Sequence, residues 1–365
     1  MVLISLHVNF KRGDAMMRKL AMLLVPFLIL SLVLGVVGCG SEEGETPTLT
    51  PTSITLKLAH SVPLGHTTDL VAQEFARLVE EYTEGQILVD IYHSAALFEA
   101  EVLWEALNTG AMDVYVESSW WISSWVSSVY AFYMDGLWES WEHGYAVMDD
   151  GRVSQILTDL AEEAGQVKML RVLPAGIMLG HITKDREITH LTDLAGLRTN
   201  TSPGYPSMPI HEYAGLEAIP IAYEETTIAF TQGIIDSVCM TPTVLRQGHY
   251  YDIGKHIFWR PGSFRTNLCM MNREVWESLP ADIQDILINQ VAPELEDFSQ
   301  SLYQKSESDD IEFLGEQVET VHWMTPEQAA EFWEGVKDHP TMQVQMLIVD
   351  PRILEIIKEL RPSVQ

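Results

Sequence analysis

Residues 54–118 constrain the fold more than any other stretch. "ITLKLAHSVP" alternates apolar and polar side chains from Ile54 and stops at Pro63, the period of a half-buried strand running into a loop. "HTTDLVAQEFARLVEEYTEG" then sets Leu70, Val71, Phe75, Leu78 and Val79 at helical spacing, with Gly85 as the stop. "QILVDIYH" predicts a second strand. "AEVLWEALNTGAMDVYVESS" repeats the cycle as helix, Gly110 cap and short strand. Strands separated by helices pair in parallel, because the chain must return to the starting edge of the sheet through a crossover. The fold class is therefore α/β.

A second cycle begins near Val167. "VKMLRVLP" reads as a strand, "THLTDLAGLRTN" as a turn feeding another, and "SMPIHEYAG" as a helix start. "LEAIPIAYEETTIAFTQGIIDSVCM" gives strand, helix, strand, and "TNLCMMN" a further strand before a long helical tract. Pro293 lies inside that tract and predicts a kink or break, since proline lacks the N–H and crowds the preceding turn. Two α/β halves with segments passing between them predict a bilobed body with a cleft. There is no exact internal repeat.

The N-terminus stands apart. Lys11, Arg12, Arg18 and Lys19 precede an apolar run from Leu20 to Gly38, the pattern of an export signal. A start at Met16 or Met17 would give a more compact charged region. The run is also long enough for a permanent anchor helix. "VVGC", with small or apolar residues before Cys39, resembles a bacterial lipobox and favours cleavage before a lipidated Cys39. Residues 1–38 are expected to be a lipoprotein signal peptide. Residues 39–53, rich in Ser, Glu, Gly, Thr and Pro, are expected to be the lipidated cysteine and a disordered linker. Either reading places the body outside the cytoplasm.

The whole chain of 365 residues carries 22 basic and 52 acidic side chains, a net charge of −30. Removing residues 1–38 takes away four basic residues and one acidic residue, leaving 18 − 51 = −33. So acidic a surface argues against nucleic acid and against adhesion to anionic lipid. Apart from Cys39 there are two cysteines, Cys239 and Cys269, both in apolar strand-like surroundings. They read as two separate buried thiols; in an oxidising compartment a disulfide is the alternative.

Enzyme signatures are missing. The chain has no GxSxG, HExxH, Walker loop or GxGxxG. Its histidines are scattered, with His60 and His66 six apart and His249 and His256 seven apart, neither a common metal spacing within one helix. No metal and no cofactor are expected, and the carboxylates form no obvious acid–base pair. "SSWWISSWVSSVY" packs Trp120, Trp121, Trp125 and Tyr130 just beyond the third strand, where a parallel sheet opens towards its ligand crevice. These rings either line a pocket or pack into the core, Trp120 and Trp121 being better placed than Trp125 for the pocket.

The order of these elements resembles the solute-binding proteins of TRAP (tripartite ATP-independent periplasmic) transporters, from about Leu56 to Leu287 and more loosely beyond. "LKLAHSVPLGH", "EFARLVEEYTEGQILVDIYHSAAL" and "EVLWEALNTGAMDVYVESS" look like the family's opening strands and helices. "LTDLAGLRTN" is similar to its Asp-Leu-x-Gly-Leu-Lys-Ile-Arg turn, and "IPIAYEETTIAFTQGIIDS" to the segment ending Gln-Gly-Val-Val-Asp-Gly. "MMNREVWESLPADIQDIL" is similar to its Asn-x-x-x-Trp-x-x-Leu-Pro tract. The resemblance implies a periplasmic binding protein type II-like fold: two α/β lobes, a ligand cleft, crossover strands and a long helix bracing both lobes. Lobe I is expected at 54–172 plus about 241–268. Lobe II, with the long connecting helix, is expected at 173–240 plus about 269–310, and a C-terminal helical segment at 311–365. It also implies a small organic solute, usually an acid, delivered to an ion-gradient-driven permease, with a lipid tether raising the local concentration of the binder at the membrane.

The sequence departs from the family where a ligand carboxylate is usually held. The turn's final arginine is Asn200 here, with Arg198 in the place of the lysine; a second family arginine falls at Gly180; and the polar residues before the proline are "VCMTP", leaving Thr241. Asn200 can hydrogen-bond a ligand but cannot neutralise it, and a guanidinium fork is the best two-point partner for a carboxylate. Either another arginine (Arg198, Arg246, Arg260 or Arg265) serves, or the ligand is less acidic than usual. The expected ligand contacts are Ser61 and His66 on the first wall with Ser118 and Ser119 beside them, and Trp120 and Trp121 as apolar faces. Asn200, Tyr205 and Thr241 are expected as polar contacts from the second lobe, with Arg198 as reserve cation. The rival functions are a binding protein of an ATP-driven importer, an exported hydrolase, and a sensory ligand-binding module.

Overall fold

The computed structural model describes residues 53–201, 208–221 and 225–361. The export signal, Cys39, nearly all of the linker and Tyr205 lie outside the described residues. Among the described residues no helix is long and apolar enough to cross a membrane.

Two sheets carry the body. The first has the order β2-β1-β3-β10-β4, with β1 Ile54–Ala59, β2 Ile87–Tyr92, β3 Val114–Ser118, β4 Val167–Pro174 and β10 Thr266–Asn272. β1 pairs in parallel with β2 (Ile54 opposite Ile87) and with β3 (Leu58 opposite Val114), as the helical crossovers require. Helix Thr67–Tyr82 provides the first crossover and buries Val71, Phe75, Leu78 and Val79 on one face. Gly85, at φ 76°, takes the left-handed turn that follows it.

The second sheet has the order β11-β9-β5-β8-β6-β7, with β5 Met178–Thr183, β6 Arg198–Thr201, β7 Glu217–Pro220, β8 Ser237–Met240, β9 His256–Pro261 and β11 Thr320–Trp323. β5 lies antiparallel between β8 and β9, while β6 runs parallel to β7 and β8.

The chain crosses between the sheets by two short segments, at 175–177 and at 262–265, and a third time through helix Ala292–Gln317, which leads from β10 to β11. The crossovers are bonded to each other: Ala175 N donates to Arg265 O (2.8 Å), Arg265 N to Gly176 O (2.8 Å) and Gly262 N to Ile177 O (2.9 Å). Helix Ala292–Gln317 braces both halves. Its Ser299 hydroxyl donates to Pro174 O at 2.8 Å on the first sheet, and its Asp310 takes Arg246 Nη1 at 2.8 Å from helix Pro242–Gln247 beside the second. Pro293 sits in the first turn of this helix, and the break it predicts appears as a π-helical turn over Leu287–Val291 just before it.

The crossover assignment differs from the sequence expectation. Residues 242–261, expected in lobe I, belong to the second sheet's half; in β10, 266–268 fall on the first sheet as expected, while 269–272, expected in lobe II, fall there too. Every residue of β10 is buried, because β10 is inserted between β3 and β4 with both faces covered. A continuous apolar run announces a fully covered strand, but not which sheet covers it. β11, a short edge strand, was not expected at all. Cys239 lies on β8 and Cys269 on β10, in different sheets, and both are free thiols.

Candidate functional site

The crossovers leave the first sheet from the end of β4 and enter β10 at Thr266. They meet the second at Met178 and Pro261. At that edge of the first sheet lie the C-terminal ends of β1 and β3, and at that edge of the second lie the ends of β6 and β8. Ser61, Ser118, Ser119, Trp120, Trp121, Asn200 and Thr241 therefore converge on the crossover side of the two sheets, as the strand-end rule for α/β folds requires. Arg198 does not. It begins β6, at the opposite end, where Nε and Nη2 donate to the two oxygens of Asp236 (2.8 and 2.7 Å) and Nη2 also to Gly233 O (2.8 Å). Arg198, expected as a reserve cation, here clamps the turn before β8.

The first wall is organised by three buried groups that no sequence pattern announced. Glu117, 2% exposed, accepts from Ser61 N and Ser61 Oγ on one oxygen (3.0 and 2.7 Å) and from Ser118 N on the other (2.8 Å). The Tyr133 hydroxyl gathers Ser118 Oγ (2.8 Å), Ser119 Oγ (3.2 Å) and Trp120 N (3.0 Å), and burial pushes its pKa up. Ser119 Oγ also meets Thr266 Oγ1 at 2.8 Å, tying β3 to the end of the second crossover. Trp120 is half-buried with its ring edge-on to Tyr130 and Tyr133 (centroids 5.5 and 5.2 Å), and Trp121 is half-buried. Trp125 is 40% exposed and tilted against Trp104.

Asp69 is the third group. It is fully buried and accepts from His60 Nε2 (3.1 Å), His93 Nδ1, Gly65 N (2.7 Å) and Gln73 Nε2 (2.7 Å). Burial alone would raise its pKa, but the donors from Gly65 and His93 outweigh this and hold it below the usual carboxylate range. His60, Asp69 and His93 are the one group among the described residues with His, Cys, Asp or Glu atoms close enough to share a metal, all within 4.8 Å. His60 Nδ1 is buried without a partner. The hydrogen-bonded form, with the proton on Nε2, leaves only a lone pair there. A metal on Nε2 would instead bury an unpaired N–H, so the cluster is accounted for as a clamp on the loop 60–69. His66 caps helix Thr67–Tyr82, its Nδ1 accepting from Thr68 N at 3.2 Å, and burial lowers its pKa.

The second wall is differently filled. Thr241 caps helix Pro242–Gln247 by accepting from Val244 N at 3.3 Å. Asn200 Oδ1 is buried without a partner. At Gly180 a Cβ would stand 2.4 Å from the Trp259 ring and 3.0 Å from Leu245, so the indole occupies the space an arginine would need. Arg260, 1% exposed, donates Nη1 to Asp135 Oδ1 (2.8 Å) and Nε to His181 Nε2 (3.1 Å). Burial, and then the Arg260 charge, drive His181 well below its ordinary pKa.

Between the walls, Arg265 Nη2 meets Glu307 Oε1 at 3.0 Å, and the same oxygen accepts from Ile177 N (3.0 Å) and Met178 N (3.1 Å). Burial pushes Glu307 up to about 7 against the pull of Arg265 and these donors. Two cavities lie away from this region. One, of about 20 Å³ between 190–192 and 324–331, has room for no more than a water; the other is an open groove of about 440 Å³ between helices Arg152–Ala164 and Pro351–Glu359.

Residues 58–341 match the family model of DctP, the bacterial extracellular solute-binding protein family 7. The C4-dicarboxylate-binding periplasmic protein DctP of Rhodobacter capsulatus is 23% identical over 290 residues, covering 78% of this chain and 84% of its own. The matches span only 42% of a Sinorhizobium fredii relative, y4mM, and 63% of a solute-binding protein of Verminephrobacter eiseniae. A TRAP periplasmic solute-binding protein from Ochrobactrum anthropi superimposes with a TM-score of 0.76 at 22% identity, covering 84% of this chain and 95% of that one. The sugar acid-binding protein DctPAm of Advenella mimigardefordensis, in complex with galactonate, gives 0.71 at 17%, covering 85% and 99%. With the type II-like two-lobed fold and a family match over most of its length, the chain belongs to the solute-binding proteins of TRAP transporters, family 7 of the bacterial extracellular solute-binding proteins.

Proposed function

We propose that this protein captures a small organic acid between its two lobes outside the cytoplasm and delivers it to an ion-gradient-driven TRAP permease. A lipid on Cys39 is its tether. The observation that carries this reading is the pair of hydrogen-bonded crossovers at 175–177 and 262–265, the geometry of a hinge, with polar strand ends from both sheets gathered beside it. Two of the relatives above carry a ligand in their names, C4-dicarboxylates and galactonate, which supports an acid here. Ser61, Ser118, Ser119, Trp120, Trp121, Asn200, Tyr205 and Thr241 are the proposed lining, with His66 fixing the first wall as a helix cap. No arrangement of nucleophile and base among the described side chains favours a hydrolase. The family match favours an ion-driven partner over an ATP-driven importer.

A thermal-shift screen of the protein with succinate, D-galactonate and neutral polyols tests the reading. A ligand at about 100 times its Kd adds roughly 2.7 kcal/mol to the native state. In a body of this size that raises the midpoint by about 5 °C. An acid that does so supports capture, and a flat response to every acid rejects it. For the tether, a mass increase on the peptide beginning at Cys39, lost in Cys39→Ser, is the expected result in a bacterial host.

A further inference from the structure

We propose that Arg265 is the carboxylate anchor of this protein, supplying from the crossover the cation that the second lobe lacks at Asn200 and Gly180. The proposal rests on the solute-binding reading above and names the residue and ligand class of that same site.

The second lobe offers no cation at the two positions where its relatives' motif would place one. Asn200 is neutral, and the Trp259 ring fills the space beside Gly180. The other three arginines named from the sequence are committed. Arg198 is held by Asp236 and Gly233 at the far end of β6. Arg246 pairs with Asp310 and lies over the Phe313 ring at 4.3 Å. Arg260 is buried against Asp135 and His181.

Arg265 differs in one atom. Its Nη2 is used by Glu307 Oε1 and, at 3.4 Å, by Met178 O, while Nη1 is buried with no hydrogen-bond partner. A guanidinium carries five N–H donors, and a buried donor left unpaired is costly. Its position suits the task. The residue lies between the two sheets' strands, with both its backbone N and O bonded to the first crossover. Its charge reaches Tyr133 on the first wall and Cys239 on β8 of the second. A fork fixed on the hinge and felt by both lobes is where a ligand enclosed by closure must lie. Gly176 makes room for it: a Cβ there would stand 2.6 Å from both Arg265 Nη2 and Glu307 Oε1.

The two unpaired atoms also specify the ligand. Nη1 needs an acceptor, which a carboxylate supplies. Asn200 Oδ1 needs a donor, which a hydroxyl supplies. Glu307 already neutralises part of the one available fork, so a second carboxylate on the ligand would be buried uncompensated. The class is a hydroxylated monocarboxylic acid rather than a dicarboxylic one.

The test is calorimetric titration of the protein with D-galactonate, D-glycerate, succinate, galactitol and glycerol. Two variants are compared with the wild type. Arg265→Gln with Glu307→Gln keeps hydrogen-bonding groups and leaves no unpaired buried charge; Arg265→Lys keeps the charge but not the fork. The expected result is that a hydroxy monocarboxylate binds the wild type at least tenfold more tightly than succinate. The double variant should lose roughly 100-fold, the scale for truncating one member of a buried charge pair, and the lysine variant about tenfold. If either variant, folded by circular dichroism, binds the acid within about threefold of wild type, Arg265 is not the anchor and the solute-binding reading stands. If succinate binds best, the ligand class is wrong. If the wild type binds none of the acids, the anchor and the acid-binding reading fall together.

Discussion

The two walls beside the crossovers differ in how completely their polar atoms are paired. On the first, Glu117, Tyr133 and Asp69 each gather several donors or hydroxyls, and His60 Nδ1 is the exception. On the second wall and the second crossover, Asn200 Oδ1, Trp259 Nε1, Ser263 Oγ and Arg265 Nη1 are buried without partners. Folded interiors leave few such atoms. The first wall pairs its polar groups within the protein, as a prebuilt platform does. The second wall and the crossover keep unpaired donors and acceptors, so selectivity is expected there.

The comparison breaks first at Asp69. If the first wall is a prebuilt platform, removing its most connected carboxylate must cost stability. Asp69→Ala strands donors from His60, His93, Gly65 and Gln73. The expected loss is about 4 kcal/mol, or a fall of about 7 °C in the thermal midpoint. A loss under about 1 kcal/mol in urea titration would show that the platform is not built on this residue.

Glu307 gives the next largest effect, and it depends on pH. Its folded pKa of about 7 lies above its ordinary value of 4.5 because it is buried. The folded state therefore holds a proton that the unfolded state releases. Stability from this group is fully present below pH 4.5 and is lost as pH rises through 7. The upper limit of that loss is ~3 kcal/mol. Glu307→Gln, which keeps the acceptor for Ile177 N and Met178 N, should flatten this slope. An unchanged slope in denaturation between pH 5 and 8 would place the buried charge elsewhere.

Much of the fold could be read from periodicity. The first three strands, the helix Thr67–Tyr82 and the break at Pro293 all follow from local spacing, because a helix or strand needs only its own residues to be recognised. Sheet membership did not follow. "HIFWRP" and "TNLCMMN" are both apolar strands, and only tertiary pairing sends β9 to one sheet and β10 to the other. The site divides the same way. Strand ends were legible, which located Ser61, Ser118, Asn200 and Thr241. Partners distant in sequence were not, since Asp236 lies 38 residues from Arg198 and Glu307 42 from Arg265.

Gly180 sharpens the account of the second wall at smaller cost. Gly180→Ala drives a Cβ to 2.4 Å from the Trp259 ring. Overpacking of this kind costs about 1–3 kcal/mol. Gly180→Ala combined with Trp259→Phe should recover part of the loss, because the smaller ring vacates the contact. No recovery would mean that the indole is not what excludes a side chain there.

Arg198 should show the smallest effect, and it separates the two readings of the missing cation. Its guanidinium is well exposed and its pair with Asp236 is open to solvent, so screening leaves such a pair little net value. Arg198→Gln should lower the thermal midpoint by no more than about 2 °C. It should move the affinity for any bound acid by less than about twofold, since the side chain stands at the end of β6 away from the crossovers. Calorimetry on this variant beside Arg265→Lys makes the contrast direct: a reserve cation at Arg198 would predict the larger loss for Arg198, whereas the paired and unpaired atoms of the folded chain predict it for Arg265.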